Sequence, residues 1–394
     1  MKNPAIPGID AFLERLSEDV RGLPRYNSGL TADYVRQHYG VEEVAKLGSN
    51  ENPYGTAAGT VAAIAAAAAD CALYPDPSSD SLRAALSSRL DIPADRISIG
   101  NGSEDLIAIS AHTFLSPGDE FVTIRPSFGL HVLHAQSIGA RLHAVPVLND
   151  YSVDIGGLIK ALAARPRMLI LSNPSNPTGC SITAEEMQRL LAALSPETIF
   201  IFDEAYFEYA SADPSYPAFL AMLQKLESPW LMLRTFSKAY GLAGLRVGYG
   251  VASDPHLVDL MDRIRSPFNV NRLAQVAAIA ALEETEFVRD SVSRTIDERE
   301  RVREALTSMG YRTSNSRANF LFIDALEDAS ALAVKLLSYG VIVKPWREPG
   351  FEDHMRVSIG SPRANDQFLN ALRKEVALGK ASERNQDAAR KSNG

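Results

Sequence analysis

The stretch Thr235–Gly250, TFSKAYGLAGLRVGYG, holds one lysine, Lys238, among small, apolar and hydroxylated residues, with Arg246 a short way on. An ammonium in a weakly solvated place is costly, so such a lysine is easily made neutral and nucleophilic, the state Schiff-base chemistry needs. The alternative is a snorkelling side chain whose amine reaches water. Other short segments offer chemistry of their own. GNGSEDLI sets Asn101, Gly102 and Ser103 at the start of a helical pattern, where free N–H groups and the helix dipole suit a phosphate. The same residues also read as an ordinary cap, with Ser103 at the N-cap and Glu104 and Asp105 complementing the dipole. NPSNPTG (173–179) is a rigid turn that presents Asn176. TIFIFDEAYFEY delivers Asp203 at the end of an apolar run and Tyr206 just after it. A carboxylate leaving a buried strand must be paired or hydrogen-bonded, whether for structure or for function.

These residues need a frame that brings them to one place. Short β-rich runs occur at 96–100, 120–124, 141–147, 167–172, 198–203, 231–236 and 246–252, separated by longer helical patterns or turns. That alternation predicts a mostly parallel sheet covered by helices, whose ligand lies beyond the carboxyl ends of the strands. The chemistry-bearing residues stand at such ends. From Glu283 the texture changes to a charged helical pattern, then NFLFIDA, a helix from Ala329 to Leu337, GVIVKPW and MRVSIG, which predicts a smaller α+β domain. The chain therefore divides into an N-terminal arm contributing to the small domain (1–45), a large domain (46–282), a small domain (283–378) and a polar tail (379–394) expected to be disordered.

Composition narrows the function. With 40 Lys and Arg against 48 Asp and Glu, a net charge of −8, the chain lacks the basic balance of a nucleic-acid binder. Cys71 and Cys180 make neither a disulfide framework nor a metal site, and His131 and His134, spaced for one helix face, lack further ligands; no metal is expected. The N-terminus has no apolar h-region, and Val61–Ala69 falls far short of the ~20 residues of a membrane span. A cytoplasmic enzyme or binding protein for small molecules is the expectation. No G-x-G-x-x-G opening a strand–helix unit, phosphate-binding G-x-x-x-x-G-K or nucleophile-elbow G-x-S-x-G pattern is present.

A lysine nucleophile, an acid for a pyridine nitrogen, a donor for a ring oxygen and an anion cradle are together the parts that hold pyridoxal phosphate. Motif order and spacing, from LGSNENPYG (47–55) through LYPDP, GNGSEDLI, NPSNPTG, FDEAYFEY and the Lys238 stretch to MRVSIG (355–360), resemble the histidinol-phosphate aminotransferase family. These are fold type I, aspartate-aminotransferase-like enzymes. The resemblance implies a three-layer α/β large domain plus the small domain, and a homodimer. It implies that Lys238 carries the Schiff base and then the proton, that Asp203 pairs with the pyridine nitrogen, and that Asn176 and Tyr206 bond the ring oxygen. Gly102, Ser103, Ser237 and Arg246 would bind the phosphate, with Glu104 beside them, and Tyr54 would reach the neighbouring subunit's phosphate. Arg356 would bind the acidic group of the substrate, helped by Lys344, Tyr26 and Asn52.

Two departures stand out: Phe128 where the family often stacks a tyrosine on the cofactor, and Lys344 where many relatives have an arginine. The expected reaction is ping-pong transfer of an amino group from L-histidinol phosphate to 2-oxoglutarate, in histidine biosynthesis. An aromatic amino-acid aminotransferase, a pyridoxal-phosphate decarboxylase or lyase of a phosphorylated amino acid, and a catalytically silent binding module are the alternatives.

Overall fold

The computed structural model describes residues 9–392; the first eight residues of the expected N-terminal arm and the last two of the tail lie outside that range. Its strands are β1 (Ala45–Lys46), β2 (Ile97–Gly100), β3 (Glu120–Arg125), β4 (Arg141–Pro146), β5 (Met168–Ser172), β6 (Ile199–Asp203), β7 (Trp230–Thr235), β8 (Gly248–Ala252), β9 (Phe320–Asp324), β10 (Val341–Ile342), β11 (Lys344–Pro345) and β12 (His354–Ser358). All seven runs read from the sequence as large-domain strands join one seven-stranded sheet in the order β2-β8-β7-β6-β5-β3-β4. Strand β8 runs antiparallel to β2 and β7, and every other pairing is parallel.

The central strands β5, β6 and β7 are buried runs because both faces of the sheet are covered there, whereas the edge strand β4 is largely exposed. Along β5, β6 and β7, Leu169, Phe200 and Met232 face one apolar layer while Ile170, Ile201 and Leu231 face the other. Side chains alternate across the sheet, so a single strand feeds two cores and the large domain has three layers. The reversal at β8 goes with a connection that holds no α-helix. A parallel crossover is usually made by a helix packed on the sheet, whereas the residues between β7 and β8 carry only the short helical turn Ala243–Leu245 and turn back. That loop carries Lys238 and Arg246, so the turn sets the start of β8 beside the end of β7.

The remainder of the chain builds a second sheet, β11-β12-β9, all antiparallel, with β1 and β10 paired parallel beside it. The sheet packs on a core of Leu306, Leu321, Ile323, Leu332, Leu336, Val357 and Phe368. On β12, Met355 and Val357 belong to that core, which turns Arg356 between them to the opposite face. Register places Lys344 of β11 directly across from Arg356.

The helix Thr285–Ser308 leads into this part of the chain, and the helix Pro362–Ser392 ends it. The terminal helix Pro362–Ser392 runs on into the tail, whose Ala, Glu, Lys, Arg and Gln are good helix formers. No helix among the described residues is long and apolar enough to cross a membrane.

Candidate active site

The ends of β5, β6 and β7 and the start of the helix Ser103–Phe114 open on a cavity of about 850 Å³. Small-domain residues close its other side: Lys344, Trp346, Arg347, Glu348 and Arg356 line it. A second cavity of about 930 Å³, lined by Phe207, Glu208, Arg234 and Tyr249, holds none of the strand-end groups, so size does not decide which one does chemistry.

Lys238 follows Ser237 at the end of β7. Its Nζ donates to the Ser49 carbonyl at 3.3 Å and stands 5.8 Å from the centre of the Tyr206 ring. Burial, and then the charges of Arg356 and Arg246, bring its pKa down to about 8. The lowered pKa makes the amine easier to deprotonate than a free lysine, and its contact with the Ser49 carbonyl inside the cavity, rather than with bulk water, speaks against snorkelling. Tyr206 is buried under it, and its phenol is pushed up to about 12 by burial. The Tyr206 oxygen accepts from Asn50 Nδ2 at 3.0 Å, and Asn50 is itself fixed by Ser358, which donates to Asn50 Oδ1 at 2.7 Å.

Asp203, the last residue of β6, is 4% exposed. Its Oδ1 accepts from the Ala205 N–H at 3.0 Å, and its Oδ2 lies 3.1 Å from His131 Nε2. His131 is buried, and its Nδ1 is 3.4 Å from Ser127 Oγ, which is in turn 3.4 Å from Thr123 Oγ1. A file of polar groups thus runs from β3 to the carboxylate and sets its direction. The spacing of His131 and His134 along one helix face did not point to Asp203; the contact was invisible in sequence because it joins residues far apart in the chain.

The anion cradle lies between β7, β8 and the helix Ser103–Phe114. Gly102, not Ser103, takes the N-cap position, and no side chain caps that helix. Its first N–H groups therefore face the cavity unpaired by a cap, contrary to the capping alternative. Arg246 Nη1 donates to Ser237 Oγ at 3.2 Å, and Nη2 lies 3.8 Å from Glu104 Oε2. Gly102 has φ +84°, and a Cβ there would sit 2.4 Å from Arg246 Nη2. Only glycine lets the guanidinium come this close to the helix start.

Arg356 is 7% exposed and makes no ion pair among the described residues. Nη1 donates to Asn176 Oδ1 at 2.8 Å and Nη2 to the Gly48 carbonyl at 2.7 Å, while Nε is buried with no partner. A buried cation without a carboxylate is costly, and burial lowers its pKa; a bound anion would satisfy both the charge and the orphaned N–H. Lys344, across the strand pair, donates to the Asn27 carbonyl, and burial followed by the charges of Arg356 and Arg347 brings it to about 8. The N-terminal arm crosses the mouth here: Tyr26 lines the cavity with its ring edge-on to Phe128, centroids 6.4 Å apart. Phe128 also meets His131 edge-on at 5.4 Å.

The chain does not bring Asn52 or Tyr54 to this cavity. Asn52 spends its amide on the Ala239 carbonyl at 2.9 Å and on the Tyr54 N–H at 2.9 Å. Tyr54 lies under the Arg294 guanidinium, 3.9 Å from the ring centre.

The residues fit pyridoxal phosphate. There is a cradle a Cβ would fill, an uncapped helix start for the phosphate, a buried directed carboxylate for the ring nitrogen, and a lysine of lowered pKa within the same cavity.

Comparison with known proteins agrees. The model of the family "Aminotransferase class I and II" matches residues 42–372. Histidinol-phosphate aminotransferase 3 of Rhizobium meliloti is 46% identical over 364 residues, covering 92% of this chain and 98% of the relative. Histidinol-phosphate aminotransferase 1 of Mesorhizobium japonicum is 47% identical over 347 residues, covering 88% and 94%. Among solved structures, histidinol-phosphate aminotransferase from Sinorhizobium meliloti in complex with pyridoxal-5'-phosphate matches with a TM-score of 0.83 at 28% identity, covering 91% of this chain and 98% of the other. A Thermus thermophilus aspartate aminotransferase, at 21% identity and a TM-score of 0.77 over 90% of this chain and 99% of the other, shares the fold.

Proposed function

The chain belongs to the class I and II aminotransferase family, and on that premise we propose that it moves the amino group of L-histidinol phosphate to 2-oxoglutarate. It is a pyridoxal-phosphate-dependent aminotransferase. Bound pyridoxal phosphate supplies the electron sink and carries the amino group between the two halves of a ping-pong cycle.

The residues of the chain divide the remaining work. Lys238 Nζ anchors the cofactor and, once displaced by substrate, takes and returns the proton at the substrate Cα. Its lowered pKa supports that role, since an ammonium could do neither. Asp203, aimed by His131, holds the proton on the pyridine nitrogen. Asn176 and Tyr206 bond the ring oxygen, Phe128 stacks on the ring, and the helix start at Ser103 with Ser237 and Arg246 holds the phosphate. Glu104 balances Arg246. The working unit is a homodimer in which Tyr54 reaches the partner's site, consistent with its absence from the cavity of its own chain, and the division at residues 46, 283 and 379 separates arm, large domain, small domain and tail. The enzyme works in the cytoplasm.

The observation that carries the donor assignment is the register of β11 and β12. It sets Lys344 opposite Arg356, so two cations and an orphaned N–H converge where a single carboxylate would need only one. A dianionic phosphate uses both. The test compares kcat/KM for L-histidinol phosphate, phenylalanine, tyrosine and threonine phosphate with 2-oxoglutarate as acceptor. Histidinol phosphate should lead by at least an order of magnitude; a lead for phenylalanine or tyrosine would make the enzyme an aromatic aminotransferase instead.

A further inference from the structure

Three carboxylates line the active cavity: Glu104, Asp203 and Glu348. Asp203 is held by His131 and Glu104 faces Arg246, so both belong to the cofactor end. Glu348 belongs to neither group. It sits on the loop after β11, four positions beyond Lys344 in the chain, and enters the cavity from the small domain. Its Oε1 accepts from the Ser127 N–H at 3.2 Å, beside Phe128. Among the described residues it makes no ion pair; burial raises its pKa, against the opposing pull of hydrogen bonds from Ser127 and Trp346 and of the Arg125 charge.

The surroundings make this carboxylate distinctive. Arg125, Arg347, Arg356 and Lys344 also line the substrate side, and each can only donate hydrogen bonds. Asn176 Oδ1, an acceptor nearby, is already taken by Arg356. A phenyl ring entering this space asks for nothing polar. An imidazole brings an N–H that must find an acceptor or go unpaired once the ring leaves water.

We propose that Glu348 is the group that selects the side chain of the donor, accepting the N–H of an imidazole ring and so favouring imidazole-bearing over phenyl-bearing amines. This rests on the donor reading above and extends it from the phosphate end to the ring end. The two ends are then read by one segment: Lys344 meets the phosphate and Glu348 the ring. The contact with Ser127 fixes the carboxylate against the large domain without consuming its second oxygen in an ion pair.

The test uses a pair of donors alike in amine and phosphate but different in ring, L-histidinol phosphate and L-phenylalaninol phosphate, with the holoenzyme and with Glu348→Gln. The amide keeps an oxygen for the Ser127 N–H and loses the charge. We expect kcat/KM for histidinol phosphate to fall by about ten- to a hundredfold, mostly through KM, while phenylalaninol phosphate stays within about threefold. Equal losses on both donors would overturn the proposal and leave Glu348 as a latch between the domains; no loss on either would overturn it outright. Glu348→Ala removes the latch as well, so the part of its loss shared by both donors measures that contact, with unfolding midpoint and cofactor uptake recorded for both variants. If the unaltered enzyme turns over neither phosphate ester yet transaminates phenylalanine, the donor reading falls. Glu348 is then judged by the same ratio on histidine against phenylalanine, where selective loss on histidine supports it and equal effects refute it.

Discussion

His131 offers a sharp test of how the carboxylate at the end of β6 is controlled. In His131→Phe the ring volume is roughly kept, and with it the edge contact to Phe128, but the partner of Asp203 Oδ2 at 3.1 Å is gone. Asp203 keeps one bond, from the Ala205 N–H at 3.0 Å, and at 4% exposure water has little access to replace the other. A hydrogen bond to a buried charged group is worth about 1.5–3 kcal/mol, so about 2 kcal/mol of the stabilisation of the ring-nitrogen proton should be lost. That corresponds to roughly a thirtyfold drop in the rate of the amino-donor half-reaction. His131→Gln, whose amide nitrogen reaches about as far as Nε2, should recover most of it. The assay is single-turnover kinetics with the amino donor, alongside cofactor affinity and the unfolding midpoint. A half-reaction within twofold of the unaltered enzyme in His131→Phe would refute the reasoning, as would equal slowing in the Phe and Gln variants.

Other outcomes follow from the same geometry. Gly102→Ala places a methyl 2.4 Å from Arg246 Nη2 on backbone that non-glycine residues rarely adopt; denaturant unfolding should show a loss of about 1–3 kcal/mol and titration a weaker grip on the cofactor. Asp203→Ala should abolish turnover, and an unchanged half-reaction would count against the role assigned to it. Lys344 has a pKa lowered to about 8, so it is cationic below that pH and neutral above it. KM for histidinol phosphate should therefore climb as pH rises through about 8 while KM for phenylalanine changes little, and Lys344→Arg should remove the climb because a guanidinium stays charged. For the dimer, mixing Tyr54→Ala chains with Lys238→Ala chains should give hybrids with one intact site; hybrids no more active than the parents would place Tyr54 in its own subunit.

Much of the fold was legible because the large sheet is buried on both faces. The inner strands are then compact apolar runs, and β3, β5, β6 and β7 lie within a residue or so of where hydrophobicity alone put them. Direction was not legible: β8 has the same apolar texture as the parallel strands of the sheet, and the reversal shows only in a connection before it that forms no α-helix. In the small domain, GVIVKPW reads as one strand but splits into β10 and β11, which pair in different sheets. Residues of the site that sit at strand ends, Asp203, Ser237 and Lys238, could be found by position. Asn50 and Glu348 could not. Their contacts, with Tyr206 and with Ser127, join residues 156 and 221 positions apart in the chain, a separation that no local pattern reveals. Asn52, expected at the substrate, bonds the Ala239 carbonyl, the Tyr54 N–H and, at 3.5 Å, Ser291 Oγ in this chain.

The antiparallel pair of β11 and β12 has a mechanical consequence for how the donor pocket can change. Side chains alternate between the core and the cavity with a period of two, so sliding β12 by one residue would drive the Arg356 guanidinium into a core of leucine, valine and phenylalanine and present Met355 or Val357 to the substrate. No graded adjustment exists between these states. Insertions or deletions within this ribbon should therefore be all-or-nothing for anion recognition, whereas point changes at positions 344 and 348 leave the gauge intact. Redesign of donor preference has its natural handles there, on a frame that keeps the distance between the two cations fixed.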